Sequence, residues 1–211
     1  MPLEAFSLKE SDHENIQHAL DECAVTGDDP WNHEKFKPIR SRAKKYYITG
    51  QGYRCCYCDQ ENRTSNGNSW TLDHIVPRNE KSEFSFLPEN WAISCPDCNI
   101  HKSDKRVLMN SSVKNYPTKS LRFKIIHPHH DEFADHIVRR NFVYQPKDDK
   151  GKFTIYACDL LRFAADHIKW PLSPADKRYE DEVNLILIGD VGAAALKEQI
   201  LDDLFHRNSG N

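Results

Sequence analysis

Cys55-Cys56-Tyr57-Cys58, then Leu72-Asp73-His74-Ile75-Val76-Pro77, then Cys95-Pro96-Asp97-Cys98-Asn99 are the segments whose reading decides the fold. Cysteines two residues apart let both sulfurs reach one ion from a tight knuckle, and two such pairs complete a tetrahedral zinc site with no open position. Cys55, Cys58, Cys95 and Cys98 are therefore expected to bind a structural Zn²⁺. The chain has 7 cysteines. An odd number with two CxxC pairs fits metal binding better than a disulfide framework. Cys23, Cys56 and Cys158 read as buried thiols, although Cys56 lies inside the first pair and is a possible competitor.

Working outward, Asn62 to Ser69 is turn-forming throughout and leads into a β-prone run from Trp70 to Val76. A second strand is expected from Trp91 to Ser94, with Pro96 opening a helix through about Lys105. That order is β, β, α. Before it, Ile16, Ala19, Leu20 and Cys23 recur at helical spacing and predict an amphipathic helix from Glu14 to Ala24, broken by TGDDP. A second helix is expected from Pro38 to Thr49, with Gly50 ending it in a left-handed conformation. After the second cysteine pair, NFVYQP and KFTIYA flank KDDKG and predict a hairpin from Asn141 to Ala157. Asp159 is then expected to cap a helix to about Lys169. From Ser173 onward the chain reads as mostly helical, with VNLILIG open between helix and strand.

With 211 residues, 38% hydrophobic and 29% charged, the sequence describes a folded chain and excludes a disordered one. No run of eighteen apolar residues predicts a membrane span, and the acidic opening MPLEAFSLKESDHE does not look like a secretory signal, so a cytoplasmic location is expected. A net charge of -3 hides two basic windows. Lys35, Lys37, Arg40, Arg42, Lys44, Lys45 and Arg54 face the single acid Glu34, and Lys102, Lys105, Arg106, Lys114, Lys119, Arg122 and Lys124 face Asp104 alone. They flank the cysteine region, where a polyanion would meet positive charge on both sides, or they are solvated faces.

The ordered set of CxxC, Asp73-His74 before a proline, Asn90, and CxxCN followed by Lys102 resembles the HNH endonuclease family over roughly Tyr53 to Lys105. The resemblance implies an α+β fold: a zinc-stapled ββα-metal unit with N-terminal helices and a C-terminal hairpin plus helices. It also implies that His74 is the general base, a task suited to a group that titrates near neutrality. Asp73 and Asn99 are then the expected ligands of a catalytic Mg²⁺ or Mn²⁺, a hard ion that prefers oxygen. Lys102, on the same helical face as Asn99, either holds the scissile phosphate or is only a phosphate contact. Asn90 is expected to brace the catalytic loop and orient the histidine. His101 is left open. DNA is the default substrate, with RNA, including transfer RNA, also possible.

The chain is expected to divide into a helical segment over 1–50 with a basic helix, the nuclease unit over 51–125, and an α/β extension over 126–211. This layout looks like the small HNH effectors of Septu-type and retron-linked anti-phage systems. That resemblance implies an ABC-like ATPase partner, docked on the acidic tail. Two other classes remain, a non-catalytic zinc-ribbon module that binds nucleic acid and a scaffold subunit. His127-Pro128-His129-His130-Asp131-Glu132 reads either as an exposed turn or as a further metal site. Tyr46, Tyr47, Tyr53 and Tyr57 read as packing for the zinc unit or as stacking platforms for bases.

Overall fold

The computed structural model describes residues 2–64 and 66–169. Contacts divide the chain into two units, Met1–Leu161 and Arg162–Asn211. The first begins with α1, Glu10–Thr26, whose buried residues Asp12, Ile16, Ala19 and Cys23 follow one helical stripe. The Asp12 carboxylate accepts from the Lys9 N–H at 2.8 Å, closing the first turn, and pairs with Arg42 at 2.5 Å. Gly27 ends α1 at φ 80°, with its N–H on the Cys23 carbonyl. A 3₁₀ turn, Pro30–Asn32, leads to α2, Lys37–Gly50, which buries Ile39, Ala43 and Tyr47 at four-residue intervals.

Gly50 does not take the left-handed conformation expected of it. The helix runs through it, and positive φ falls on Gly52 (59°) and Tyr53 (60°) instead. The delay has a local cause. The Gln51 side chain bonds both the N–H and the carbonyl of Ile93, so the chain must stay helical until it reaches the neighbouring strand.

That strand is β2, Trp91–Ser94, which pairs antiparallel with β1, Thr71–His74. Asp73 stands opposite Ala92 and His74 opposite Trp91. Every residue of β2 is buried, and α3, Pro96–Lys102, follows directly, so the expected β, β, α order is present.

After α3 come a short helix α4, Phe133–His136, a hairpin of β3, Ile137–Arg140, with β4, Val143–Pro146, and α5, Asp149–Ala157. The expected hairpin over 141–157 is wrong in register and in its second half. The turn sits at Asn141 (φ 52°), the partner strand lies upstream, and KFTIYA is helical. Asp148 explains the switch, since its carboxylate accepts from the Gly151 N–H at 2.7 Å and caps a helix where a hairpin loop was expected. A Cβ on Gly151 would lie 2.1 Å from the His136 carbonyl oxygen, so this helix packs only with glycine there.

Of the second unit, the described part is α6, Arg162–Lys169. It starts two residues later than a cap at Asp159 would give, because Asp159 is left-handed at φ 48° rather than a cap. The predictions for VNLILIG and the tail from Ser173 lie outside the described residues. Among the described residues, no helix is long and apolar enough to cross a membrane.

Candidate active site and zinc centre

The sulfurs of Cys55, Cys58, Cys95 and Cys98 all lie within 4.8 Å of one another, with Cys58 and Cys95 at 3.9 Å. A tetrahedron with Zn–S bonds of about 2.3 Å places sulfurs about 3.8 Å apart, so four thiolates in this arrangement fit zinc. The Cys95 and Cys98 N–H groups point at the sulfurs of Cys55 and Cys95, which favours the thiolate form. Cys56 is outside the quartet, and the thiol of Cys158, from the end of α5, comes within hydrogen-bonding reach of Cys98. The β3–β4 hairpin props the first knuckle from outside, with the Tyr144 hydroxyl donating to the Cys58 carbonyl at 2.8 Å and Arg139 to the Asp59 carbonyl.

The link from this centre to β1 is Tyr57, buried within the first knuckle. Its hydroxyl donates to Asp73 Oδ2 at 2.6 Å. The Lys102 ammonium meets the same carboxylate at 3.0 Å and donates to the His74 carbonyl at 2.8 Å. Lys102 is only 1% exposed, so it is locked into the Asp73-His74 dipeptide. A buried ammonium in that position is tolerable only because the carboxylate and the carbonyl compensate it.

His74 ends β1 at the wall of an open cleft of about 770 Å³, shared with Asp73, Lys102, Arg78 and Asp29. Its Nε2 lies 3.0 Å from the Ser85 carbonyl oxygen. A carbonyl only accepts, so Nε2 carries the proton and Nδ1 is the ring's acceptor. The Trp31 ring covers one face of the imidazole at 4.1 Å between centroids. Burial lowers the basicity of His74 to a pKa of about 3, opposed by the Ser85 hydrogen bond and aided by the Arg78 and Lys102 charges. The imidazole is therefore neutral at pH 7 and able to take a proton.

Asn90 is fully buried and holds both ends of the loop between the strands. It accepts from the Val76 N–H at 2.7 Å and donates to the carbonyls of Val76 and Phe84, each at 3.1 Å. It acts on the histidine one residue removed, since Ser85 supplies the carbonyl that the ring uses, and the Trp91 indole fixes that carbonyl at 2.7 Å. Asn99 is half-buried on α3 and is not part of the cleft lining. Asp73 does line the cleft, but Tyr57 and Lys102 already engage its oxygens. Among the described residues, the two-donor set for a hard ion is not assembled.

His101 leans away, 3.7 Å from Asp159, and the cleft lining omits it. The His127–Glu132 stretch is packed rather than ligating. His127 is buried against Phe123 and His130, and His129 bonds the carbonyls of Leu3 and Trp91 at 2.9 and 2.8 Å. Of the four tyrosines, Tyr47 and Tyr57 are buried, whereas Tyr46 and Tyr53 are part-exposed. Sequence reasoning missed Asp29, Trp31, Arg78 and Ser85. TGDDP read only as a helix breaker, and nothing in the spacing places it or the following Trp31 against His74.

Residues 55–105 match the family model described as HNH endonuclease. A phage λ protein, Protein ea31 of Escherichia phage lambda, is 28% identical over 116 residues, covering 52% of this chain and 33% of that protein. The chain thus spans about a third of the length of this curated relative. No solved structure matches the chain. Residues 55–105, which hold the cysteine quartet, are thus similar to an HNH endonuclease domain, within a mixed α+β chain.

Proposed function

We propose that the chain is an endonuclease that hydrolyses phosphodiester bonds in nucleic acid, with His74 as its general base. The observation that carries this reading is the state of the imidazole: neutral, with Nε2 tied to Ser85, on the wall of an open cleft that also presents Arg78 and Lys102. Hydrolysis needs a deprotonated water aligned opposite the leaving oxygen. Nδ1 accepts the water proton as the oxygen attacks phosphorus, and the sugar oxygen leaves with a proton from solvent. The approaching phosphodiester adds negative charge beside the ring and raises its basicity toward the useful range. Asp73 and Lys102 keep the dipeptide from shifting, and the zinc knuckle holds Asp73 through Tyr57.

Dependence on a divalent ion, Mg²⁺ or Mn²⁺, is proposed from the family match, without the expected Asp73 and Asn99 pair as its ligand set. The finer role, an anti-phage effector working beside an ABC-like ATPase, rests on the resemblance in motif order alone. DNA is the favoured substrate, with RNA the alternative.

The test incubates the full chain with plasmid DNA and with RNA in Mg²⁺ or Mn²⁺, alone and with a co-encoded ATPase, and analyses the new ends. Internal cuts that leave a 5′-phosphate are expected, because water is the nucleophile. A cyclic phosphate on RNA would instead mean internal attack by the 2′-hydroxyl, and no cleavage under any of these conditions would contradict the proposal.

A further inference from the structure

Arg78 lies four residues beyond His74, and its guanidinium lines the same cleft. Both of its terminal nitrogens bond one carboxylate, that of Asp29, at 3.0 and 2.5 Å. Asp29 belongs to the turn outside the family-matched residues that also delivers Trp31 to the face of His74. The guanidinium fork accepts a carboxylate or a phosphate in the same two-pronged geometry. Each partner is about a third exposed, at 37% and 35%, and solvent screening leaves a pair so placed weakly held. The other cleft cation, Lys102, is buried and committed to Asp73 and the His74 carbonyl.

We infer that Arg78 is the cleft's phosphate-binding residue and that Asp29 is an internal surrogate for the phosphodiester, exchanged for it when nucleic acid enters. This rests on the nuclease reading of the same cleft and adds to it the group that receives the backbone. The exchange leaves the guanidinium paired throughout and releases Asp29 to solvent at the rim. Binding is weakened by the cost of that exchange, and only through Arg78.

The experiment uses the full-length His74→Ala chain, which leaves substrate intact, and measures its affinity for a labelled DNA duplex and a single-stranded RNA across salt concentrations. Asp29→Asn keeps the oxygen that accepts the Trp31 N–H at 3.1 Å, so the turn stays capped. It is expected to tighten binding about two- to fivefold. Arg78→Met is expected to weaken binding roughly tenfold and to reduce the salt slope by about one, as for a lost phosphate contact. The deciding variant is the double: the gain from Asp29→Asn disappears when Arg78 is methionine. A gain that persists without Arg78 would reduce Asp29 to bulk repulsion and overturn the inference. So would weaker binding by Asp29→Asn at unchanged zinc content, which would make the pair a structural tie. If the His74→Ala chain binds neither nucleic acid, the nuclease reading itself falls, an outcome distinct from bound substrate without coupling.

Discussion

His74 is held in one tautomer by a single carbonyl and kept neutral by burial, and this yields a pH prediction. The acidic limb of kcat/KM reports the free enzyme's base. Because the folded pKa lies near 3, far below the ordinary 6.5, the imidazole should stay deprotonated as pH falls. The rate should therefore show no limb from this group between about pH 7 and about pH 5. A limb with an apparent pKa near 6.5 in kcat/KM would contradict the burial. Lys102 carries a second prediction. Lys102→Met strands a buried carboxylate, which costs about 3–5 kcal/mol in denaturant unfolding of the zinc-loaded protein, and adding Asp73→Asn should recover most of it. Equal stability of the single and double variants would mean that the ion pair is not what holds the dipeptide. The cysteine spacing and the Asp73-His74 dipeptide were legible as chemistry because each is a short run of reactive residue types in a fixed order. Tyr57, Ser85 and Trp31 were not, because their roles depend on where a hydroxyl, a carbonyl and a ring end up after folding.

At the scale of elements, apolar periodicity located α1, a β-prone run located β2, and the helix-opening prolines Pro38 and Pro96 located α2 and α3, all to within a few residues. These signals failed after β3. There KFTIYA has the composition of a strand, but Asp148 and Gly151 make it a capped, close-packed helix. Gly151→Ala should accordingly destabilise the chain by about 1–3 kcal/mol, read by thermal unfolding, because a methyl at 2.1 Å from the His136 carbonyl forces α5 off the hairpin. An unchanged melting temperature would mean that α5 has room to shift. The zinc knuckles belong to this scale too. Cys58→Ser should lower zinc stoichiometry and soluble yield together, since the binding energy of a structural zinc is folding energy. Full zinc occupancy in that variant would remove Cys58 from the ligand set.

Across the whole molecule, the zinc centre, β1 and the histidine-rich packing behind it form one connected interior within Met1–Leu161. His127 is pushed below the ordinary histidine range by burial. An unfolded histidine binds a proton below about pH 6.5, whereas this one binds it only at lower pH when folded, so stability should be full above that value and fall as pH drops through it. Thermal melts from about pH 8 to about pH 5 should show the decline, and a flat profile would mean that the imidazole protonates in place. In the proposed reaction a zinc-braced imidazole performs the cut. Cleavage by wild type and by His74→Ala, compared at equal zinc content and equal melting temperature, tests that directly: the variant should retain metal and fold and lose cutting, and equal rates from the two proteins would contradict it.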